Sequence, residues 1–317
     1  MKANQVLCVG IAVADVMAKP IDDIPAWDHL GTFDHIEHHM GGCAVNTAVD
    51  LARLGLPASV VACVGRDGAG ASLRQGLTDA GVDASALVEA DDAATSYTFV
   101  MIGSDGRRRY LHHVGANAHF TASHVPSELI AGARVLHMGG SLLMPAMDGE
   151  PTAALLARAQ GLGVTTSMDT AYNPKVDSRA LIEPCLPHLD IFLPSLEEAQ
   201  AITGASEPEA VLDWFGGYDM PVLGIKLGAD GCIIRTADTT QRYPAYRVTV
   251  VDGSGAGDAF MAGFLHGHLQ GWSIDRTARF ANATAAHCVQ AIGCSAGIPA
   301  ADEIERFLQD DPPLRVG

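Results

Sequence analysis

Apolar and polar positions along the chain alternate between two textures. Residues 5–13 form an almost unbroken apolar run around Val6-Leu7-Cys8-Val9, which reads as a strand buried on both faces. Residues 44–54 place apolar side chains at helical spacing and stop at Gly55, a helix-ending residue. The same pairing recurs. Strands are predicted at 58–64, 135–138, 163–169, from 191, at 222–226 and at 247–251, and helices at 71–80, 152–160, 196–202 and 256–270. Strand–helix alternation implies a mostly parallel sheet with helices on both faces. Two stretches break the rhythm. Residues 15–40 hold Pro20, Pro25 and short alternating pieces. Residues 95–113 read as a hairpin, Ser96 to Ile102 and Arg107 to His113, turning at Ser104-Asp105-Gly106. Neither fits a crossover helix, so both are expected to pair into a small separate sheet. No repeat, low-complexity tract or linker divides the chain.

Composition narrows the function classes. With 48% hydrophobic and 18% charged residues, the 317-residue chain has the apolar content to bury a core and is not disordered. Its 20 Lys+Arg against 37 Asp+Glu give a net charge of −17, which repels nucleic acid and anionic lipid. The one dense basic run, Arg107-Arg108-Arg109, is short. Alternation sends one of the three to the opposite face from the other two, and they are expected to be solvated hairpin charges. Seven cysteines, none in a Cys-x-x-Cys pair and most in apolar runs, read as reduced thiols of a cytoplasmic protein. The apolar stretch after Lys2 is interrupted by Gly10 and Asp15, unlike a leader peptide, and no run approaches the roughly 18 residues of a membrane span. His35, His38 and His39 lack the partners of a four-ligand metal set and fit an exposed strand better.

The sharpest chemical signal is Val250-Val251-Asp252-Gly253-Ser254-Gly255-Ala256-Gly257-Asp258. A predicted strand runs into a glycine-rich turn that opens a helix, and unencumbered N–H groups at a helix start suit a phosphate. A carboxylate beside a phosphate needs a reason, and Asp258 could accept the proton of an attacking hydroxyl. Alone, the segment is better explained as a plain loop before a first-turn acid. No Gly-Lys dipeptide exists, which excludes a Walker A loop, and residue 258 is Asp where a dinucleotide turn needs its third glycine. A second segment, Gly41-Gly42-Cys43-Ala44-Val45-Asn46, puts paired glycines at a helix start with an amide one turn in.

Together these segments resemble the two signatures of the ribokinase-like (PfkB) family of carbohydrate kinases. Asp15 after the first strand, Gly115-Ala116-Asn117 after the hairpin, Pro194-Ser195-Leu196-Glu197-Glu198 and Lys226-Leu227-Gly228-Ala229-Asp230-Gly231 are similar to further family segments in the family's order. The resemblance spans almost the whole chain. It implies a three-layer sandwich with a mostly parallel central sheet (1–14, 41–94 and 118–317) and a small β lid (15–40 and 95–117) that closes over the substrate and forms a homodimer contact. It implies an ATP-dependent kinase of a small sugar, with no nucleic-acid or membrane partner. Asp258 would be the base, with the N–H groups of Gly255, Ala256 and Gly257 as an anion hole. Asp15, Gly41, Gly42 and Asn46 would hold sugar hydroxyls, and Ser195, Lys226, Gly228, Gly231 and Asn282 would lie along the nucleotide. Glu198 would act on Mg²⁺ through water, and Asp252 with the Ser254 carbonyl would offer a place to a monovalent cation such as K⁺.

Two positions depart from the family pattern. Ser195 replaces an Asn, which weakens the expected nucleotide contact. Gly253 replaces a Thr, which weakens the expected cation site; glycine fits the turn regardless. A nucleoside kinase of the same fold is the nearest alternative. A phosphosugar kinase is less favoured, because Cys43 stands where such members commonly carry Lys. A sugar-binding regulator would not need Asp258.

Overall fold

The computed structural model describes residues 5–315. Eight strands build the central sheet: β1 (Val6–Gly10), β4 (Ala58–Val61), β9 (Val135–Ser141), β10 (Thr165–Thr170), β11 (Ile191–Phe192), β12 (Val222–Lys226), β13 (Cys232–Arg235) and β14 (Thr240–Tyr243). Their order is β14-β13-β12-β11-β10-β9-β1-β4. The six from β4 to β12 run parallel, and β13 and β14 close one edge antiparallel. Strand side chains alternate between faces. Val6 and Cys8 therefore enter one apolar cluster, with α1 (Cys43–Arg53), α2 (Gly68–Asp79), α8 (Ala256–Leu269), α9 (Ile274–Cys288) and α10 (Ala301–Gln309). Leu7 and Val9 enter the other, with α3 (Ser127–Ala131), α4 (Glu150–Gly161), α5 (Ser178–Ile182), α6 (Leu196–Thr203) and α7 (Pro208–Phe215). The expected three-layer sandwich is present.

The two irregular stretches pair as predicted. β2 (Val13–Lys19), β3 (His35–Gly41), β7 (Ser96–Ile102) and β8 (Arg108–His113) form a four-stranded sheet in the order β3-β2-β7-β8. A two-stranded sheet of β5 (Cys63–Gly65) and β6 (Val88–Ala90) completes the strands among the described residues.

Three expected elements differ. The single strand over 5–13 ends at Gly10, where a Cβ would collide with the Gly139 carbonyl, 1.9 Å away, and the chain crosses into the second sheet. The crossing is held by Asn117, whose Oδ1 accepts from the Ala12 N–H at 3.3 Å and whose Nδ2 donates to the Ala12 carbonyl at 3.2 Å. The strand over 58–64 is likewise divided between β4 and β5. Residues 247–251 form no strand. The Arg247 N–H donates to the Pro313 carbonyl at 2.8 Å, and Val248 and Val250 line a cavity instead of pairing in a ladder. Their apolar, β-branched pattern reflects that lining.

Helix α1 carries a buried acid. Asp50 is fully buried, and beyond a loose contact with Ser295 neither of its carboxylate oxygens has a hydrogen-bond partner. Burial pushes its pKa well up, the charge of Asp258 adds to this, and Ser295 and Arg53 oppose it. An unfolded Asp titrates near 4. Above that pH the folded chain holds a proton the unfolded chain has lost, so stability falls as pH rises toward the folded pKa. Asp50→Asn is expected to remove this slope. Its melting temperature, measured against wild type by calorimetry from pH 5 to pH 8, should gain progressively. A constant difference would show that the Asp50 proton does not limit stability.

Candidate active site

In a parallel sheet, loops and helix starts gather at the carboxyl ends of the strands. Here Asp169 near the end of β10, Lys226 at the end of β12, Ser195 just beyond β11 and the start of α8 meet around a cavity of about 920 Å³. Lys226 Nζ donates to Asp169 Oδ1 at 2.8 Å and Oδ2 at 2.7 Å. A Cβ on Gly257 would lie 3.2 Å from Lys226 Nζ, so the ammonium stands beside the N-terminus of α8. Two sources of positive potential therefore face one cavity.

Three carboxylates surround that lysine. Burial alone would lower the Lys226 pKa, but Asp169 and Glu198 outweigh it and hold it above its ordinary value. Glu198 is pushed up by burial and by Asp169, against Lys226 and Ser195. Asp258 is pushed up to about 7 by burial and by Asp169, against the Asn46 hydrogen bond, Lys226 and Cys43. When Asp169, Glu198 and Asp258 are all ionised, one ammonium leaves two negative charges uncompensated. A hydrated divalent cation fits that surplus. Among the described residues no group of three His, Cys, Asp or Glu could bind a metal on its own.

Glu198 is also fixed locally. Ser195 caps α6, its hydroxyl accepting from the Glu198 N–H at 3.4 Å while Glu198 Oε2 accepts from the Ser195 N–H at 2.8 Å. This reciprocal cap orients the carboxylate along the cavity wall. Ser195 thus serves as a cap at the position where the family pattern has Asn. Gly228, Gly231 and Asn282 line the far part of the cavity. The Asn282 amide donates to the carbonyls of Tyr243 at 3.1 Å and Pro244 at 3.2 Å, so it holds the wall and offers the cavity little more than its flank.

At the other end of the cavity, Asn46 Nδ2 donates to Asp258 Oδ2 at 2.7 Å. Asn46 also walls a second cavity, of about 330 Å³, between β3, α1 and the 293–296 loop. Asp15 lies nearby in β2, between His39 of β3 and Thr98 of β7. A Cβ on Gly41 would sit 2.0 Å from Asp15 Oδ2, so only glycine lets β3 pass this carboxylate. Burial raises the Asp15 pKa to about 6, against Thr98, His39 and Cys294. Gly42 caps α1 with φ 96. Cys43 lines the main cavity, but burial and neighbouring acids raise its pKa well above the ordinary value, which keeps it an unreactive thiol.

The glycine-rich turn is anchored from outside. Asp252 Oδ1 accepts from the Ser254 N–H and Oδ2 from the Gly293 N–H, each at 2.9 Å. Gly255 has φ 74, and a Cβ there would lie 2.4 Å from the Cys294 carbonyl. Cys294 Sγ in turn stands 3.9 Å from Asp15 Oδ2, so the 293–295 loop joins the turn to the Asp15 side. The hairpin arginines divide. Arg107 pairs with Asp105 at the exposed tip, whereas Arg108 Nη1 reaches Asp252 Oδ1 at 2.9 Å and Ser254 Oγ at 3.0 Å. Arg108 is therefore not the solvated charge expected from the sequence. The histidines at 35, 38 and 39 gather no metal-capable cluster among the described residues, and His39 pairs with Glu37 at 2.9 Å.

Two contributors were missed in the sequence. Asp169 carries a legible signal, a carboxylate at the end of a predicted strand. The 293–295 loop carries none, because it acts mainly through its backbone.

Comparison with known proteins agrees with this geometry. Residues 3–301 match the pfkB family carbohydrate kinase profile. The chain is 28% identical to a nucleoside kinase of Methanothermobacter thermautotrophicus, over 98% of this chain and 99% of the relative. It is 30% identical to an aminoimidazole riboside kinase of Salmonella typhimurium, over 84% and 87% of the two chains. Arabidopsis thaliana ribokinase complexed with ribose and ATP has the same fold, with a TM-score of 0.85 at 24% identity over 97% of this chain and 99% of that one. With nearly its whole length matched and the acid, the glycine turn and the lysine assembled at one sheet edge, the chain belongs to the pfkB family of carbohydrate kinases.

Proposed function

We propose that the protein transfers the γ-phosphoryl group of ATP to a hydroxyl of a small sugar. The observation that carries this reading is Asp258, a buried acid in the first turn of α8, oriented by Asn46 at 2.7 Å and facing the cavity that Lys226 also lines. In this reading the triphosphate lies in the 920 Å³ cavity between the α8 N-terminus and Lys226. Mg²⁺, bound with it beside Glu198 and Asp169, would neutralise phosphate charge. Asp258 takes the proton of the attacking hydroxyl, and Asn46 keeps one carboxylate oxygen fixed so that the other accepts it. The N–H groups at the start of α8, where that of Ala256 makes only a long 3.5 Å bond to the Gly253 carbonyl, stabilise the charge that grows on the transferred group. Asp15 accepts hydrogen bonds from sugar hydroxyls. The four-stranded sheet acts as a lid that excludes water during transfer.

A nucleoside acceptor is the second reading. The names of the Methanothermobacter and Salmonella relatives favour it. An ADP-release assay over a panel of sugars and nucleosides tests both. Turnover with neither class would refute the proposal.

The lid supports a homodimer. Its segments expose Trp27 by 94%, Leu30 by 92% and Leu111 by 62%, an apolar surface that a second copy would cover. All seven cysteines are free, and no helix among the described residues is long and apolar enough to cross a membrane. The free thiols support a reducing compartment, the cytoplasm.

Four outcomes are expected. Asp258→Asn should lower kcat by about 10²–10⁴ while ATP binding by calorimetry persists. In wild type, kcat/KM should climb with pH through about 7, where Asp258 loses its proton; a profile flat from pH 5.5 to 8 would remove it as the base. Asp15→Asn should weaken sugar binding by about 10-fold to 100-fold, from the loss of a hydrogen bond to a charged group, with ATP affinity retained in separate titrations. Equal losses for both ligands would take Asp15 out of the acceptor site. Light scattering should give twice the chain mass for wild type and the single chain mass for Trp27→Asp/Leu111→Asp; a wild-type monomer at micromolar concentration refutes the lid dimer.

A further inference from the structure

The turn that presents the α8 N-terminus depends on Asp252, and the groups around Asp252 leave little for a dissolved ion. Oδ1 accepts from the Ser254 N–H and Oδ2 from the Gly293 N–H, each at 2.9 Å. The Ser254 carbonyl lies 3.4 Å from Cys288 Sγ, whose single proton has a nearer acceptor in the Cys294 carbonyl at 3.1 Å. The Asp252 oxygens that the family resemblance offers to a monovalent cation are thus already engaged by donors of the chain itself. The charge beside them is also supplied. Arg108 Nη1 lies 2.9 Å from Asp252 Oδ1 and donates to Ser254 Oγ at 3.0 Å. The pair is shielded from solvent, with side-chain exposures of 18% for Arg108 and 5% for Asp252.

Gly253 stands beside the guanidinium: a Cβ at this position would lie 3.6 Å from Arg108 Nη2 and 3.8 Å from Nη1, an ordinary contact. Arg108 also begins β8, so its charge arrives with the hairpin and not from solution.

We propose that Arg108 takes the place of the monovalent cation beside the anion-hole turn. It is a positioning residue: it acts through Asp252, whose hydrogen bonds hold the turn against Gly293. Two consequences follow. The protein does not need K⁺, and the turn reaches its final charge only when the hairpin is seated on it. The kinetic part of this inference rests on the kinase reading; the binding part does not.

The test uses the full chain, as wild type, Arg108→Ala and Arg108→Lys, in KCl and in choline chloride at equal ionic strength. Thermal unfolding needs no acceptor. Wild type and Arg108→Lys should melt at the same temperature in both salts. Arg108→Ala should melt lower in choline chloride and regain about 2 °C or more in KCl, as an ion binding only the folded state requires. Turnover, measured with the acceptor found by the panel, should follow. Arg108→Ala should lose about 10-fold to 100-fold in kcat in choline chloride, with KM for ATP little changed and partial recovery in KCl, and Arg108→Lys should keep most of the activity. A wild-type protein stabilised or activated by KCl over choline chloride would overturn the proposal. So would an Arg108→Ala variant unaffected in choline chloride, or one restored by neither KCl nor Lys. If no acceptor is found, the melting temperatures still decide whether the ion is replaced.

Discussion

One lysine set among three carboxylates is the constraint on which the site depends. Asp169, Glu198 and Asp258 arrive from a strand end, a capped helix and a glycine turn, and Lys226 is the cation between them. Placing that much negative charge in a half-closed cavity is unfavourable in the empty protein, and the raised pKa values of Glu198 and Asp258 report it. In the proposed reading the same surplus prepares the cavity for a metal–phosphate ligand: the helix N-terminus and Lys226 would provide for the phosphate, and the acids for the metal. Helix, strand ends and cap would each be ordinary alone; their meeting at the sheet's carboxyl edge makes the chemistry.

That meeting is built from close backbone approaches more than from side-chain contacts. Gly41 passes the Asp15 carboxylate, and Gly255 passes the Cys294 carbonyl. Asp252 then joins the turn to the 293–295 loop through two backbone hydrogen bonds, and that loop reaches Asp15. Acceptor side and phosphate side are thereby linked through a few atoms. A displacement of the turn at Asp252 would move both the α8 N-terminus and the loop that faces Asp15.

Much of this was legible in the sequence, for physical reasons that also explain the rest. Buried parallel strands and glycine-stopped helices leave strong periodic signals, and α1, β12 and α8 fall within a residue or so of their expected bounds. The hairpin turn at Ser104-Asp105-Gly106 also falls where its residues require. Boundaries failed where an apolar run served two environments: residues 5–13 supply β1 and the crossing into the second sheet, and Val248 and Val250 line a cavity. Helix α9 was missed because it follows α8 directly, with no strand between to mark it. At the site, Asp258, Lys226 and Asn46 were identifiable because their chemistry resides in their side chains. Asp169 could have been identified from its place at a strand end. The role of the 293–295 loop was invisible, since backbone carbonyls and N–H groups leave no mark in residue type. Arg108 was seen and misread, because strand alternation tells which face a side chain takes but not what lies across the gap.

The clamp between Asn117 and Ala12 bears on how such a protein can change over time. One amide supplies a donor and an acceptor to both backbone groups of a single residue, at the point where the chain leaves the central sheet. Among short side chains only Asn supplies donor and acceptor on two separate atoms. The four-stranded sheet between these two fixed points is therefore an insert in two pieces, joined to the body at a registered seam. Its strands can be exchanged, lengthened or re-decorated as long as Arg108 keeps its bonds to Asp252 and Ser254. A lineage could acquire a new acceptor by remodelling the insert alone, and a protein engineer could cut at the same seam.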